Sequence, residues 1–370
     1  MFNIKNIFTY LINFIISQNY IMKKMVSNEN FWNLHTLNDF QQLLIYQNVH
    51  SYEITSVCFL KDGSIASSSM DKYVLIYNKN TFKIDIKIKE NKRVCYMNVT
   101  KDGILITCMG GTYLNLYEIK NKNYKNIQTI RPYSLFHDII GMFDDSYSIQ
   151  KFIELKNGNL AILVWGYAIC FYKKKKNSKK YSFLNKFDTK INESSTDLVE
   201  LDDNQYCVSF CYDNLIKFLD MNLKNITSKI EFELNFIHIT SSKNQLILMN
   251  KNDLLLAGDY NLYIIDIQKK EIIKNIKFKT IGYLSFIYRL SKNNFLFGGW
   301  GNHIEQIEYD DIKKDIKIIS NNQKNDYSSF SNHSTIYKIS SISVFNNNLI
   351  VSPFNNKLGY SSLIIYKYKN

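Results

Sequence analysis

The chain of 370 residues has little proline, little arginine and no recognisable catalytic motif. It contains two prolines. Because proline cannot donate a hydrogen bond to a β-ladder, their scarcity fits an all-β structure. Aromatic residues make up 15% of the sequence, a share that also suits strands. The apolar fraction of 45% is ordinary for a globular core.

The net charge of +13 comes almost entirely from lysine. Arginine occurs only at Arg93, Arg131 and Arg289. Bidentate phosphate recognition favours arginine, and the abundance of Asn, Ile, Lys and Tyr is typical of AT-biased coding, which raises lysine everywhere. A dedicated nucleic-acid site is therefore not favoured. A lysine-mediated acidic-lipid or nucleic-acid binder stays an alternative, which strong salt dependence of binding would support.

The six cysteines lie mostly in predicted strands, without a C-x-x-C motif or zinc-ligand spacing. They are Cys58, Cys95, Cys108, Cys170, Cys207 and Cys211. This pattern is typical of buried free thiols in a reducing compartment, so we expect a cytoplasmic protein with no metal and no cofactor.

Motifs for catalysis are missing as well: there is no phosphate loop, no G-x-S-x-G and no H-E-x-x-H. The carboxylate pairs Asp144-Asp145, Asp202-Asp203 and Asp310-Asp311 fall in predicted turns. Neighbouring strand residues point to opposite faces, so such pairs do not form a catalytic dyad. We predict a protein that is not an enzyme. The alternative is an enzyme acting at the central channel of its fold.

Residues 1–39 differ from the rest and are expected to be an N-terminal extension. Residues 6–22 carry no charge and have apolar residues at helical spacing. A packed helix, a poorly ordered extension, a signal peptide, a membrane anchor and a targeting peptide are the competing interpretations. The interruption by polar residues disfavours a spanning helix. Met22 or Met25 is an alternative start.

Residues 50–88 contain four short β-prone runs separated by turn residues. The runs are Ile54–Leu60, Ser64–Ser69, Tyr73–Tyr77 and Phe82–Ile88. Gly, Asp and Asn in the gaps favour tight turns. Four strands within about 40 residues predict one antiparallel up-and-down sheet of the size of a propeller blade.

This stretch resembles a WD repeat, the unit of WD-repeat β-propellers. The His50 position, the Asp62-Gly63 turn, the small-residue strand that ends at Asp71, and Tyr77-Asn78 in place of Trp-Asp carry the likeness. The resemblance implies a structural tetrad that holds the blade together and performs no chemistry. Its members would be His50, Ser67, Asp71 and Tyr77.

Weaker repeats follow over about 94–130, 148–184, 197–232, 245–277, 283–319 and 335–368. Together they predict one all-β domain over 40–370, a single seven-bladed β-propeller of four-stranded antiparallel blades. The strand predicted over Phe40–Gln47 would complete the last blade and close the ring. A ring of eight blades and a propeller of another family are the alternatives.

In WD-repeat propellers the residue before the structural Asp faces the top of the ring, where partners commonly dock. Carried over, this position predicts a partner-binding site made by Met70, Trp165, Tyr212 and Trp300. The glycines at the matching positions, Gly110, Gly258 and Gly359, would leave hollows between them. The alternative is that the aromatic side chains of these residues pack between blades and do not face solvent. We predict a non-catalytic scaffold that binds a protein or peptide there.

Two further stretches are candidates. Residues 131–147 form a long connection rich in Tyr, Phe and Ile, which would also emerge on the top face. Residues 172–181 hold the densest run of lysines. That run is a nuclear-import or acidic-surface patch, or a solvated hairpin loop on the bottom rim.

Overall fold

The computed structural model describes residues 40–110, 113–132, 149–165, 167–189, 195–202, 205–210, 215–220, 225–231, 246–257, 261–277, 284–299, 304–321, 337–345, 348–355 and 360–368. These residues form seven four-stranded antiparallel sheets, here called blades 1 to 7. The predicted N-terminal extension, residues 1–39, lies outside them. Within the described ranges, no helix is long and apolar enough to cross a membrane.

Each blade takes four strands that follow one another in sequence, except blade 7. Blade 1 is β2 (Ile54–Phe59), β3 (Ile65–Ser69), β4 (Tyr73–Tyr77) and β5 (Ile84–Lys89). Blade 2 is β6 (Val94–Val99), β7 (Ile104–Met109), β8 (Leu114–Lys120) and β9 (Asn123–Ile130). Blade 3 is β10 (Ile149–Glu154), β11 (Leu160–Val164), β12 (Ala168–Lys174) and β13 (Tyr181–Asp188).

The remaining blades follow the same order. Blade 4 is β14 (Ser195–Asp202), β15 (Gln205–Phe210), β16 (Leu215–Asp220) and β17 (Asn225–Glu231). Blade 5 is β18 (Leu246–Leu248), β19 (Asp253–Ala257), β20 (Asn261–Asp266) and β21 (Glu271–Lys277). Blade 6 is β22 (Leu284–Arg289), β23 (Asn294–Gly299), β24 (Ile304–Asp310) and β25 (Asp315–Asn321). Blade 7 is β26 (Tyr337–Phe345), β27 (Asn348–Asn355), β28 (Tyr360–Tyr368) and β1 (Phe40–His50).

The first strands of the blades form the inner wall of a ring. Each contacts the first strand of the next blade, from β2 through β6, β10, β14, β18 and β22 to β26, and β26 contacts β2 in turn. Apolar residues fill the space between neighbouring sheets. Val74, Ile76 and Leu105, for example, share one buried cluster between blades 1 and 2. This burial between blades is what holds the ring together.

Blade 7 is closed by the N-terminal strand. β1 pairs antiparallel with β28, with Phe40 opposite Tyr368. The strand predicted over residues 40–47 is therefore present and continues to His50. Blade 7 is also tied to blade 1, because the rings of Phe59 and Phe345 stack with centroids 5.2 Å apart. The predicted all-β fold of four-stranded antiparallel blades is confirmed, and the seven sheets of the described residues fit the predicted blade count.

Turn chemistry sets the strand boundaries. Gly63, Gly103 and Gly158 have φ of 87°, 81° and 82° between the first and second strands of blades 1 to 3, a conformation that glycine adopts without strain. Phe82 also has a positive φ, 56°. It lies in the turn before β5, so the fourth strand of blade 1 starts at Ile84 and not at Phe82 as predicted.

Candidate partner-binding face

The ring has two faces, which we define by their connections. The top face carries the turns between second and third strands and the connections from one blade to the next. The bottom face carries the turns between first and second strands and between third and fourth strands. This division follows from the up-and-down order of every blade.

The four residues of the predicted tetrad lie together: Ser67, Asp71 and Tyr77 belong to blade 1, and His50 reaches them from the end of β1 in blade 7. His50, at the end of β1, is buried, and its Nδ1 donates to Asp71 Oδ2 over 2.9 Å. Its Nε2 lies 2.8 Å from Ser67 Oγ, which in turn lies 3.2 Å from the Tyr77 hydroxyl. These polar atoms pair with one another across the blade, which is a structural use of all four side chains.

Asp71 also organises the turns on the top face. Its Oδ2 accepts from the main-chain N–H of Ser51 over 3.1 Å, and its Oδ1 accepts from that of Tyr73 over 3.0 Å. Burial raises the pKa of the Asp71 carboxyl, but the hydrogen bond and charge of His50 together with these two N–H groups outweigh it, and the pKa falls below its usual value.

Blade 2 contains a matching network that the sequence reading missed. Glu90 lies 40 residues after His50, and it is buried. Its carboxylate accepts hydrogen bonds from Thr107 Oγ1 (2.8 Å), Asn115 Nδ2 (2.9 Å) and the Tyr117 hydroxyl (2.9 Å). Blade 2 has no histidine at this position, but Glu90 and Tyr117 keep the spacing of His50 and Tyr77 in the sequence.

A buried ion pair joins the inner strands of blades 3 and 4. Lys151 Nζ on β10 donates to Asp197 Oδ1 on β14 over 2.5 Å, and the two side chains are 7% and 2% exposed. Asp197 Oδ2 also accepts from the main-chain N–H of Leu246 in blade 5, over 3.0 Å. One carboxylate thus links three consecutive blades.

The bottom face uses its lysines to connect blades. Lys101 Nζ donates to the carbonyl of Leu155 over 3.5 Å, and Lys156 Nζ donates to that of Leu201 over 2.7 Å. Each lysine therefore reaches from its own turn to the next blade. Their main-chain N–H groups donate to carboxylates of the same next blade, Glu154 and Glu200.

The lysine-rich run lies in the hairpin between β12 and β13, on the bottom face as expected. Lys179 Nζ donates to Glu118 of blade 2 over 2.6 Å, and Lys174 forms an ion pair with Asp102. Part of the run therefore serves contacts between blades 2 and 3.

The top face of blade 1 exposes two large apolar side chains, Tyr52 at 61% and Met70 at 38%. Met70 belongs to the predicted site, and Tyr52 was not predicted. The loops that carry them are fixed to each other: Met70 N donates to the Glu53 carbonyl over 3.1 Å, and Ser69 Oγ donates to the Tyr52 carbonyl over 3.1 Å.

Other predicted members of the site are placed differently. Trp165 is half-buried at the top of blade 3. The space above Gly110 is not a hollow, since a Cβ there would lie 2.7 Å from Cγ of Arg93, whose side chain covers this glycine. Tyr212, Trp300, Gly258 and Gly359 lie outside the described residues, as do residues 133–148 of the long apolar connection.

The Asp310 carboxylate, from one of the adjacent carboxylate pairs, has a structural role in its turn. Asp310 Oδ1 accepts from the main-chain N–H groups of Ile312 and Lys313, both at 3.0 Å, in the turn before β25. In the described ranges, no three His, Cys, Asp or Glu residues are grouped so that they could hold a metal ion. Asp144, Asp145 and Asp203 lie outside those ranges.

Comparison with known proteins identifies the architecture. A chain in the crystal structure of the mitotic checkpoint complex is similar with a TM-score of 0.64 and 9% identity, over 89% of this chain and 92% of that one. The structure of U3-55K is similar with a TM-score of 0.66 and 11% identity, over 87% of this chain and 98% of that one. Both are WD40-type propellers.

The fold is that of a WD-repeat β-propeller. No family model and no curated protein sequence matches the chain. The His50 network of the WD-repeat propeller is present in blade 1, and blade 2 replaces its histidine by Glu90. The repeat is thus visible in three dimensions where it is weak in the sequence.

Proposed function

We propose that this WD-repeat propeller is a non-catalytic scaffold that binds a protein or peptide on its top face. One observation carries the proposal: Tyr52 and Met70 are both exposed, and they lie on two top loops that hydrogen bonds hold together. Exposed aromatic and methionine side chains on a rigid frame are typical of interface anchors, because little conformational entropy is lost when a partner covers them.

The polar groups of blades 1 and 2 support the same conclusion. The side chains that a catalytic site would draw on, His50, Asp71 and Glu90, are engaged in hydrogen bonds inside their blades. The bottom face is occupied by contacts between blades, such as those of Lys101 and Lys156. On the top face, apolar side chains face solvent on loops that hydrogen bonds hold together.

Among the residues that the structure describes, the other exposed large apolar side chains lie around the outer edge or, for Ile312, on the bottom face. Nearly all belong to fourth strands, and they are distributed over blades 1 to 6: Ile84, Tyr124, Phe183, Leu184, Ile226, Ile273 and Ile318, with Ile312 in the turn before β25. Scattered single residues of this kind are ordinary on protein surfaces. One of the similar structures is a component of a complex, the mitotic checkpoint complex, which agrees with a scaffold role.

The test is a quantitative affinity capture from cells with three forms of the protein. They are the wild type, a Met70→Ala, Trp165→Ala variant, and a control variant that removes two exposed apolar residues elsewhere, Leu184→Ala and Ile312→Ala. We expect partners that the wild type and the control retain and the top-face variant loses, with unchanged circular dichroism for all three. Equal retention by all three would contradict the proposal.

A further inference from the structure

Three lysines hold the same position on the bottom face, directly before the fourth strand of their blade. Lys122, Lys270 and Lys314 precede β9, β21 and β25, and their φ values are 60°, 58° and 51°. A positive φ is uncommon outside glycine. It gives the three side chains the same starting direction, and each of them contacts the preceding blade.

Two of these lysines contact a carboxylate of the preceding blade. Lys122 Nζ lies 3.1 Å from Asp85 Oδ1 of blade 1. Lys314 forms an ion pair with Asp253 of blade 5, whose side chain is buried. An ion pair favours the ammonium form of an amine. Because an ammonium has no lone pair for nucleophilic attack, Asp85 and Asp253 oppose any reaction of these two lysines.

Lys270 contacts an aromatic ring instead. Its Nζ lies 3.8 Å from the centroid of Phe218 on β16 of blade 4. Cys207 on β15 pairs with Phe218 across the sheet, and both side chains are buried. Among the described residues, no carboxylate lies within ion-pair distance of Lys270 Nζ. The lysine is half-buried, so its amine lies against blade 4 with the surface close by.

The carboxylates nearest to Lys270 in sequence have other partners. Asp266 Oδ1 accepts from the main-chain N–H groups of Gln268 and Lys269, both at 2.9 Å. Glu271 lies 3.6 Å from Lys269 Nζ. Burial lowers the pKa of the Lys270 ammonium below its usual value, and the neighbouring Cys207 opposes this shift only in part. The surroundings of Lys270 therefore favour the neutral amine more than those of a paired lysine do.

We propose that Lys270 is a site of covalent acylation, at which its amine accepts an acyl group from a thioester. The nitrogen lone pair attacks the carbonyl carbon, a C–N bond forms and the C–S bond breaks. The thiolate leaves and takes up the proton that the nitrogen loses. Cys207 does not compete for the acyl group, because it is fully buried and burial raises the pKa of its thiol.

Acylation changes the contact between blades 4 and 5. The amide that forms on Lys270 is uncharged, so it needs no counter-ion beside Phe218, and the cation–π contact between the two residues is lost. An imine formed with an aldehyde relieves the site less, because its nitrogen can still take up a proton. The inference does not depend on the scaffold function, since Lys270 lies on the bottom face.

The experiment measures the acetylation rate of each lysine in the folded full chain near neutral pH, with S-acetyl-N-acetylcysteamine as the thioester and peptide mass spectrometry as the readout. Lys122 and Lys314 are the matched controls, because they hold the same turn position with a counter-ion. We expect Lys270 to react at least about threefold faster than either control. The Lys122 side chain is 68% exposed, so rates set by exposure alone give the opposite order.

Two further readouts separate reactivity from local sequence. The rate at Lys270 should reach its maximum at a lower pH than the rates at Lys122 and Lys314. In guanidinium the three rates should become equal, because the contacts with the preceding blades are gone. A Lys270 rate no higher than those of the two controls in the folded protein, or a preference for Lys270 that survives denaturation, would overturn the proposal.

Discussion

Glu90 Oε1 accepts a 2.9 Å hydrogen bond from the Tyr117 hydroxyl inside blade 2. Glu90 occupies the position that corresponds to His50, which bonds to Ser67 of blade 1. The two networks use equivalent positions, Ser67 with Thr107 and Tyr77 with Tyr117, but they differ in chemistry. A histidine both donates and accepts, whereas an ionised carboxylate only accepts. Thr107 and Asn115 supply the donors that the carboxylate needs. Burial and the charge of Glu90 both raise the pKa of Tyr117, so the phenol stays protonated and donates.

Replacing Glu90 should destabilise the propeller strongly. Glu90→Ala leaves the buried donors of Thr107, Asn115 and Tyr117 without this acceptor, and we expect a cost of about 3 kcal/mol in the free energy of unfolding. Glu90→Gln keeps one acceptor oxygen and should cost less. Urea unfolding followed by circular dichroism measures both. Midpoints that equal the wild type would show that the network contributes nothing.

The pair of His50 and Asp71 predicts a pH dependence of stability. Because the folded-state pKa of Asp71 is below its usual value, the carboxylate stabilises the fold above the unfolded pKa, about 3.9. That contribution is lost as the pH falls through the folded-state pKa. The difference in unfolding free energy between wild type and Asp71→Asn should therefore be largest near neutral pH and shrink in acid. A difference that stays constant over this range would refute the assignment.

The buried pair of Lys151 and Asp197 should show strong coupling. Asp197→Leu alone leaves a buried ammonium without this partner and should cost about 3–5 kcal/mol, and Lys151→Met alone has the converse effect. The double variant should lose much less than the sum of the two. Urea unfolding of all four proteins gives the coupling energy. Additive losses would mean that the 2.5 Å contact carries no interaction energy.

The cysteines should differ sharply in reactivity. Burial raises the pKa of the Cys58 and Cys170 thiols to about 12 and also raises that of Cys207. Cys108 is buried as well, whereas Cys95 is half-buried. In a Cys211→Ser background, a disulfide reagent should modify Cys95 quickly and the other four only after unfolding, since the thiolate is the reactive form. Protein denatured in guanidinium is the control, and rapid modification of several thiols in the native state would contradict the predicted burial.

The fold was predictable because local signals agree in blade 1. Short β-prone runs, Asp62-Gly63 at one turn and the position of His50 indicate a blade, and the strand before His50 indicates how the ring closes. The start of β5 was misplaced because Phe82 adopts a positive φ, which apolar aromatic residues seldom do. Nothing in the local sequence signals that conformation.

Contacts between blades could not be predicted from the sequence, because they join residues that are far apart along the chain. Lys151 and Asp197 lie 46 positions apart and meet only when the inner strands of two blades are side by side. Tyr52 was missed because it lies between blades and outside the repeat positions from which the top face was inferred.

Docking of partners on the top face is tested most directly by photo-crosslinking in cells. A photoreactive phenylalanine analogue is placed at Tyr52 on the top face, and in a second protein at Ile312 on the bottom, where the side chain is 90% exposed. If partners dock on the top face, the Tyr52 position gives discrete protein adducts that the Ile312 position does not give and that Trp165→Ala abolishes. The same adducts from both positions, or adducts from Ile312 alone, would contradict it.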